Sequence, residues 1–212
     1  MPAAPAAIKR ALNSRAAKPM AFVLGLAPLA WLAAIGPDGW GFNAPEFINR
    51  FLGDWAIRLL LLTLAITPLA QIFRLSGLTR FRRMVGLFAF FYATLHISAY
   101  VVFDHFFDWA EIWQDILKRQ YITVGMLTLL AMLPLVITST NRMIRRVGAK
   151  RWQKLHYLVY PAAAGASLHH VMMVKANYTE AFIHVAILTV LLAWRVRHKW
   201  ARTTSKAAPA AG

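Results

Sequence analysis

Apolar residues gather into six stretches, each near the roughly 20 residues that a helix needs to cross a bilayer. They run over Met20–Ile35, Trp55–Phe73, Met84–Phe103, Tyr121–Thr138, Arg151–Lys175 and Glu180–Trp194, the fifth entering its apolar zone near Leu155. The pattern predicts an all-α integral membrane protein. It is read as a bundle of six transmembrane helices over 20–196, with a basic N-terminal tail over 1–19 and a basic, disordered C-terminal tail over 197–212. Met1–Lys18 and the run behind it look like the charged and hydrophobic regions of a signal peptide. That run ends in Gly36-Pro37-Asp38-Gly39 with no persuasive cleavage site, so an uncleaved first helix is expected. A polar loop is expected over Gly36–Gly53. Pro161 should bend or locally unwind the fifth helix, because it offers no N–H to the hydrogen-bond ladder. Between the third and fourth helices, Trp109 and Trp113 stand four apart among acids, as on a short amphipathic helix lying on the membrane surface.

With six crossings the connections alternate sides, and charge separates with them. Of the 24 Lys and Arg, all but Arg50, Arg58, Lys118, Arg119 and Lys175 fall in the amino tail, in the connections 74–83 and 141–154, or in the carboxyl tail. All 8 Asp and Glu lie in the other connections or at their helix edges. Cytoplasmic loops carry the excess of Lys and Arg, which places both termini in the cytoplasm. Asp54 and Arg58, one turn apart, are expected as an ion pair at the interface.

A hydrophobic content of 59% belongs to the helical membrane class rather than the soluble one. The formal charge of +16 does not point to nucleic acid, because the basic residues are divided among apolar runs instead of lining one polar groove. Cysteine is absent, which excludes disulfides, thiolate nucleophiles, Cys-ligated zinc, iron–sulfur clusters and c-type haem attachment in this chain. Histidine is the strong metal ligand that remains. No phosphate-cradling glycine fingerprint appears, and the length leaves no room beside six helices for a dinucleotide-binding domain.

Three histidines sit in the fifth stretch, RWQKLHYLVYPAAAGASLHHVMMVK, where ionisable side chains are costly and usually face a partner, cavity or cofactor. His156 and His169 are thirteen residues apart, about 20 Å on a regular helix. Measured from the cytoplasmic ends, His96 on the third helix lies about 18 Å deep and His169 roughly 21 Å. Two imidazoles at one depth on two helices are what a six-coordinate b-type haem requires. Small residues nearby, among them Ala93, Ala99, Ala162, Ala163 and Gly165, would leave space for the macrocycle. The alternative is that these residues only let helices pack closely while the histidines hydrogen-bond across them. His170 is a rival to His169, since it lies only about 40° from His156 around an ideal helix, against about 140° for His169. At the depth of His156 stand Arg82 and Arg83, whose guanidinium forks could hold a flavin phosphate or haem propionates. Plain topology determinants would look the same. His105, His184 and His198 read as structural or solvated.

The stretches NRFLGDWAIRLLLLTLAITPL, RFRRMVGL, GLFAFFYATLHISAY, ILKRQYITVGM, LPLVITSTN and KRWQKLHYLVY together resemble the MsrQ (YedZ) family, which is related to the ferric-reductase transmembrane domain. The resemblance runs from about Phe42 to Lys175. It implies six helices in a bacterial inner (cytoplasmic) membrane and heme b held by His96 and His169, with His156 as a third family histidine. It further implies a bound FMN, placed by motif position at Arg82, Arg83 and His156. The implied role is a haem-binding electron-transfer subunit rather than the catalytic one. Electrons would pass from the quinone pool or a cytoplasmic flavin reductase to a periplasmic molybdopterin-containing methionine sulfoxide reductase, MsrP, which repairs oxidised proteins. The acidic connection Asp104–Asp115 is a candidate docking surface for that partner. The alternatives are a stand-alone quinol-oxidising cytochrome b or ferric reductase and, from another class, a non-redox transporter or assembly factor.

Overall fold

The computed structural model describes residues 6–207, and every regular element among them is helical. Part of the expected amino tail forms α1 (Ala6–Asn13). It is tied down by Arg80, whose Nη1 donates to the Leu12 carbonyl at 3.1 Å. Next comes α2 (Ala17–Gly39), broken at Gly36, where φ of +62° lies in the left-handed region that glycine enters freely. The loop expected over Gly36–Gly53 becomes helical from Ala44, because α3 runs over Ala44–Ile72. Asn43 caps it by accepting from the Glu46 N–H, and Pro45 fits the first turn, where no N–H is needed. Phe47, Phe51 and Trp55 then recur at four-residue spacing, with ring centres 6.2 and 6.3 Å apart in turn.

A 3₁₀ turn (Ser76–Phe81) leads into α4 (Arg82–Ala99), which ends in one π-helical turn (Tyr100–Asp104). Helix α5 (Trp109–Lys118) is the expected short amphipathic helix: Asp108 caps it, Ile112 and Asp115 are buried, and Trp109, Trp113 and Leu117 are exposed. Then follow α6 (Gln120–Ile137), the basic pair α7 (Asn141–Val147) and α8 (Ala149–His156), α9 (Val159–Met173) and α10 (Thr179–Ala207). The carboxyl tail expected from 197 is therefore helical through Ala207, and residues 208–212 lie outside the described ones.

The expected fifth helix is two helices. Pro161 has no N–H for the Tyr157 carbonyl, which accepts from the Tyr160 N–H at 3.1 Å instead, and the chain turns between α8 and α9. Consequently 5 helical segments among the described residues are long and apolar enough to span a bilayer, not six: 17–39, 44–72, 76–104, 120–137 and 179–201. Helix α9, with 15 residues, falls short of that length.

Packing is organised as two pairs, α3 with α4 and α6 with α9, and α10 lies against α3 and α9. Leu60, Leu61 and Leu64 of α3 meet Ala89 and Tyr92 of α4, Ala162 and Ala163 of α9, and Leu188 of α10 in one buried cluster. Large apolar side chains such as Val23, Leu127 and Val190 face outward, as lipid contact requires. Prolines inside the spans leave backbone groups that other side chains satisfy. Pro68 cannot serve the Leu64 carbonyl, and Arg195 of α10 donates its Nη2 there. Beside Pro28, the Tyr92 hydroxyl enters the α2 ladder, donating to the Gly25 carbonyl at 2.9 Å and accepting from the Leu29 N–H at 3.2 Å. Chain, core and lipid face thus describe a multi-pass all-α membrane protein.

Candidate functional site

His96 of α4 and His169 of α9 face each other across the bundle, with ring centres 6.1 Å apart and planes at 75°. Each ring is held the same way. His96 Nδ1 lies 2.9 Å from the Asn49 carbonyl of α3, and His169 Nδ1 lies 2.7 Å from the Tyr121 carbonyl of α6. An Nδ1 facing a carbonyl oxygen carries the proton, so each Nε2 keeps its lone pair for another partner. Four residues beyond each carbonyl stands a glycine. A Cβ on Gly53 would lie 3.1 Å from His96 Cε1 and Nδ1, and one on Gly125 would lie 2.9 Å from His169 Nδ1. Each helix pair therefore repeats one device, a carbonyl that orients an imidazole and a glycine that makes room for it.

The arrangement suits a metal held between the rings. With a metal–nitrogen bond of about 2 Å, and a ring centre roughly 1 Å behind its nitrogen, trans imidazoles have centres about 6 Å apart. Histidine ligands characteristically donate their second N–H to a carbonyl or carboxylate, which fixes tautomer and orientation. Sequence reasoning missed Asn49, Gly53, Tyr121 and Gly125, because their part is played by backbone atoms and by the lack of a side chain. A signal existed in the shared spacing, Asn49-x-x-x-Gly53 and Tyr121-x-x-x-Gly125, each near the start of a long apolar run.

Against His96 the structure sets His169 and not His170. The latter turns to Asp54, with Nδ1 3.6 Å from Oδ1, and to the His184 ring at 5.0 Å. The small residues proposed to make room for a macrocycle are partly used otherwise. Ala162 and Ala163 are buried in helix packing, and Gly165 abuts Thr128 of α6.

At the other end of the bundle, His156 stacks on Trp152 at 3.8 Å, with its Nδ1 3.1 Å from the Trp152 carbonyl. Burial lowers its pKa from the ordinary value, and the charge of nearby Arg82 acts in the same direction. Arg82 donates one Nη1 to Thr67 Oγ1 at 3.3 Å and keeps the rest of its fork. Arg83 turns instead to the 139–141 segment, donating to the Ser139 carbonyl at 3.0 Å and Asn141 Oδ1 at 2.7 Å. His156 and Arg82 are thus neighbours, whereas Arg83 is engaged elsewhere.

The remaining histidines are structural in their surroundings. His105 is buried between Glu111 and Asp115, each 3.3 Å away, and His198 stacks on Trp194. The acids of the 104–115 connection are largely engaged as well. Asp108 caps α5, Asp104 accepts from Asn49 at 3.2 Å, and Asp115 takes His105, Arg119 and the Tyr100 hydroxyl.

The family described as ferric reductase like transmembrane component matches residues 52–167, a stretch that contains Gly53, His96, Gly125 and His156 and stops two residues short of His169. Among curated proteins, one from Rhodospirillum rubrum is 50% identical over 190 residues, covering 89% of this chain and 91% of its own. Others from Caulobacter vibrioides and Polaromonas naphthalenivorans are 48% and 47% identical over 184 and 191 residues, covering 86% and 88% of this chain and 87% of each relative. All three are named protein-methionine-sulfoxide reductase heme-binding subunit MsrQ. By the extent of these matches, the chain belongs to the MsrQ family of ferric-reductase-like transmembrane proteins.

Proposed function

We propose that this chain is a heme b-containing membrane subunit that carries electrons to a separate methionine sulfoxide reductase. The observation that supports it is the pair of imidazoles at 6.1 Å, both with Nδ1 on a backbone carbonyl and both with Nε2 turned to neither. His96 and His169 would hold the haem, which would supply one-electron redox chemistry there. Asn49 and Tyr121 orient the rings, and Gly53 and Gly125 admit them. Purified protein reduced with dithionite should show the Soret and α bands of low-spin b-type haem. His96→Ala or His169→Ala should remove or shift them, while His105→Ala, His198→Ala and His170→Ala leave them in place. Loss of the bands in His170→Ala alone would defeat the assignment.

The donor side of the reading is FMN at the inner end, its phosphate held by Arg82 with Arg83 and His156, fed by the quinone pool or a cytoplasmic flavin reductase. Arg82, with donors to spare, and its neighbour His156 support this, while Arg83 would have to leave Asn141. Extraction should release flavin from wild type and less from Arg82→Ala. The acceptor is the periplasmic molybdopterin-containing MsrP. Reduced protein mixed with oxidised MsrP and a methionine sulfoxide substrate should be reoxidised faster than with substrate alone; equal rates would refute the role. Docking through the acidic connection would rest mainly on exposed Trp109 and Trp113 and on the outer side of Glu111, which also faces His105, since the other acids there are engaged. Its rate should fall as salt screens the charge.

A further inference from the structure

Four arginines on the basic side of the bundle serve the fold. Arg80, Arg82, Arg83 and Arg195 each donate to an oxygen of another segment. Six cations in the connection after α6 do not. Arg142, Arg145 and Arg146 of α7 and Lys150, Arg151 and Lys154 of α8 are all exposed, and among the described residues none makes a side-chain hydrogen bond or ion pair. No Asp or Glu occurs between Asp115 and Glu180, so this part of the chain brings no counter-charge with it.

The six cations are nevertheless held in a fixed arrangement. Met143, Ile144 and Val147 of α7 and Trp152 and Leu155 of α8 are half-buried, so each helix turns an apolar stripe to the bundle and a basic stripe away from it. Thr140 Oγ1 caps α7 by accepting from the Met143 N–H at 3.2 Å, and Trp152 Nε1 donates to the Thr138 carbonyl at 2.9 Å. Gly148 makes the corner between the two helices at φ of +82°, a conformation glycine enters freely. Electrostatically this arrangement opposes itself. Arg142 with Arg146, and Lys150 with Lys154, stand one turn apart, where like charges repel, on helices of 7 and 8 residues that are too short to be stable alone. Anions from outside the chain relieve that repulsion.

Depth says which anions. Helix α6 ends at Ile137, which is 57% exposed, and α8 is followed by Tyr157, which is 54% exposed. Both side chains stand where apolar helices meet the membrane surface, so the segment between them lies at headgroup level. A cluster of cations on amphipathic helices beside a membrane span is the electrostatic footprint of anionic lipid, each cation being worth roughly fivefold in binding.

We propose that α7 and α8 form a platform that binds the phosphate headgroups of anionic phospholipids in the leaflet they face. Arg142, Arg145 and Arg146 bind from one helix and Lys150, Arg151 and Lys154 from the other. Because α8 carries His156, bound lipid also steadies the end of the bundle where His156 and Arg82 meet.

The test uses the full-length protein in phosphatidylcholine nanodiscs that contain a phosphatidylglycerol with a photoactivatable group near its headgroup, and a matched phosphatidylcholine probe as reference. After photolysis, labelled peptides are mapped by mass spectrometry, and circular dichroism reports the helix content of the same samples. The phosphatidylglycerol probe should label residues 138–157 several-fold more than the reference does, and the excess should shrink in high salt. The triple variant Lys150→Gln, Arg151→Gln, Lys154→Gln should cut the excess at least about tenfold. Lys150→Arg with Lys154→Arg should keep it. If the triple variant loses helix content, Arg145→Gln with Arg146→Gln carries the same expectation of a reduced excess. Lys9→Gln, Arg10→Gln and Arg15→Gln together remove as much charge at the amino end and should leave the excess unchanged. Equal labelling by the two probes, an excess that survives neutralisation in a folded variant, or an equal loss in the amino-end variant would overturn the platform. Displacement of the excess by soluble glycerol phosphate or by an oligonucleotide would make free phosphate or nucleic acid the occupant and overturn it as well.

Discussion

At the scale of single residues, the site depends as much on two missing methyl groups as on two imidazoles. A Cβ at residue 125 would lie 2.9 Å from His169 Nδ1, a separation that forces the ring to move; at residue 53 the corresponding distance is 3.1 Å, which a small shift relieves. Overpacking of this kind costs about 1–3 kcal/mol. Gly125→Ala should therefore lower haem retention more than Gly53→Ala, and both should fall between wild type and the histidine variants. Soret absorbance per milligram of purified protein ranks them, and equal retention in both alanine variants would show that the seats are not tight. The histidines themselves were legible in the sequence, because an imidazole in an apolar run has few other uses. The choice between His169 and His170 was not legible from ideal helix angles, since the break before α9 severs their angular relation to His156. The carbonyls of Asn49 and Tyr121 were invisible for a plainer reason: any residue has one.

At the scale of elements, broken ladders and their repairs set what holds the bundle together. Pro68 leaves the Leu64 carbonyl without its usual donor, and Arg195 reaches from α10 to supply one, with its guanidinium 5.6 Å over the Tyr160 ring. The sequence places Arg195 in a basic tail and gives it only a topological role. What the pattern could not show is that a charge at the end of an apolar helix has a carbonyl to serve on another. A double-mutant cycle separates the two roles. Arg195→Met alone leaves a buried carbonyl unsatisfied and should cost about 1–3 kcal/mol. In a Pro68→Ala background the alanine N–H restores the ladder, so the same change should cost clearly less. Thermal midpoints in one detergent measure both, and an additive result would show that Arg195 acts through charge alone. Element lengths were also misjudged, and in opposite directions. Helix α3 begins at Ala44 rather than Trp55, because a polar-looking stretch hid an aromatic ridge with helical spacing, whereas the expected fifth helix is cut where Pro161 withholds its donor.

For the whole molecule, the number of times the chain crosses turns on α9. Fifteen residues rise about 22 Å, against a hydrocarbon core of about 30 Å. Length alone counts five crossings and places the termini on opposite sides. Charge argues otherwise. If α9 did not cross, α6 would deliver the basic connection 141–154 to the cytoplasm, and α10 would then carry Arg195, Arg197 and Lys199 outward, against the bias that sets orientation. A short helix can cross where neighbours shield it, and α9 is flanked by α6 on one side and α10 and α3 on the other. His169, four residues from the end of α9, also meets His96 near the far end of α4, so the helix does reach across the bundle. We therefore expect six crossings with both termini in the cytoplasm. Reporters that are active only in the periplasm should stay silent when fused before α1 or after Lys206 and become active when inserted between Asn177 and Thr179. Activity after Lys206 with silence at the 177–179 insertion would show that α9 turns back within the membrane, and five crossings would replace six.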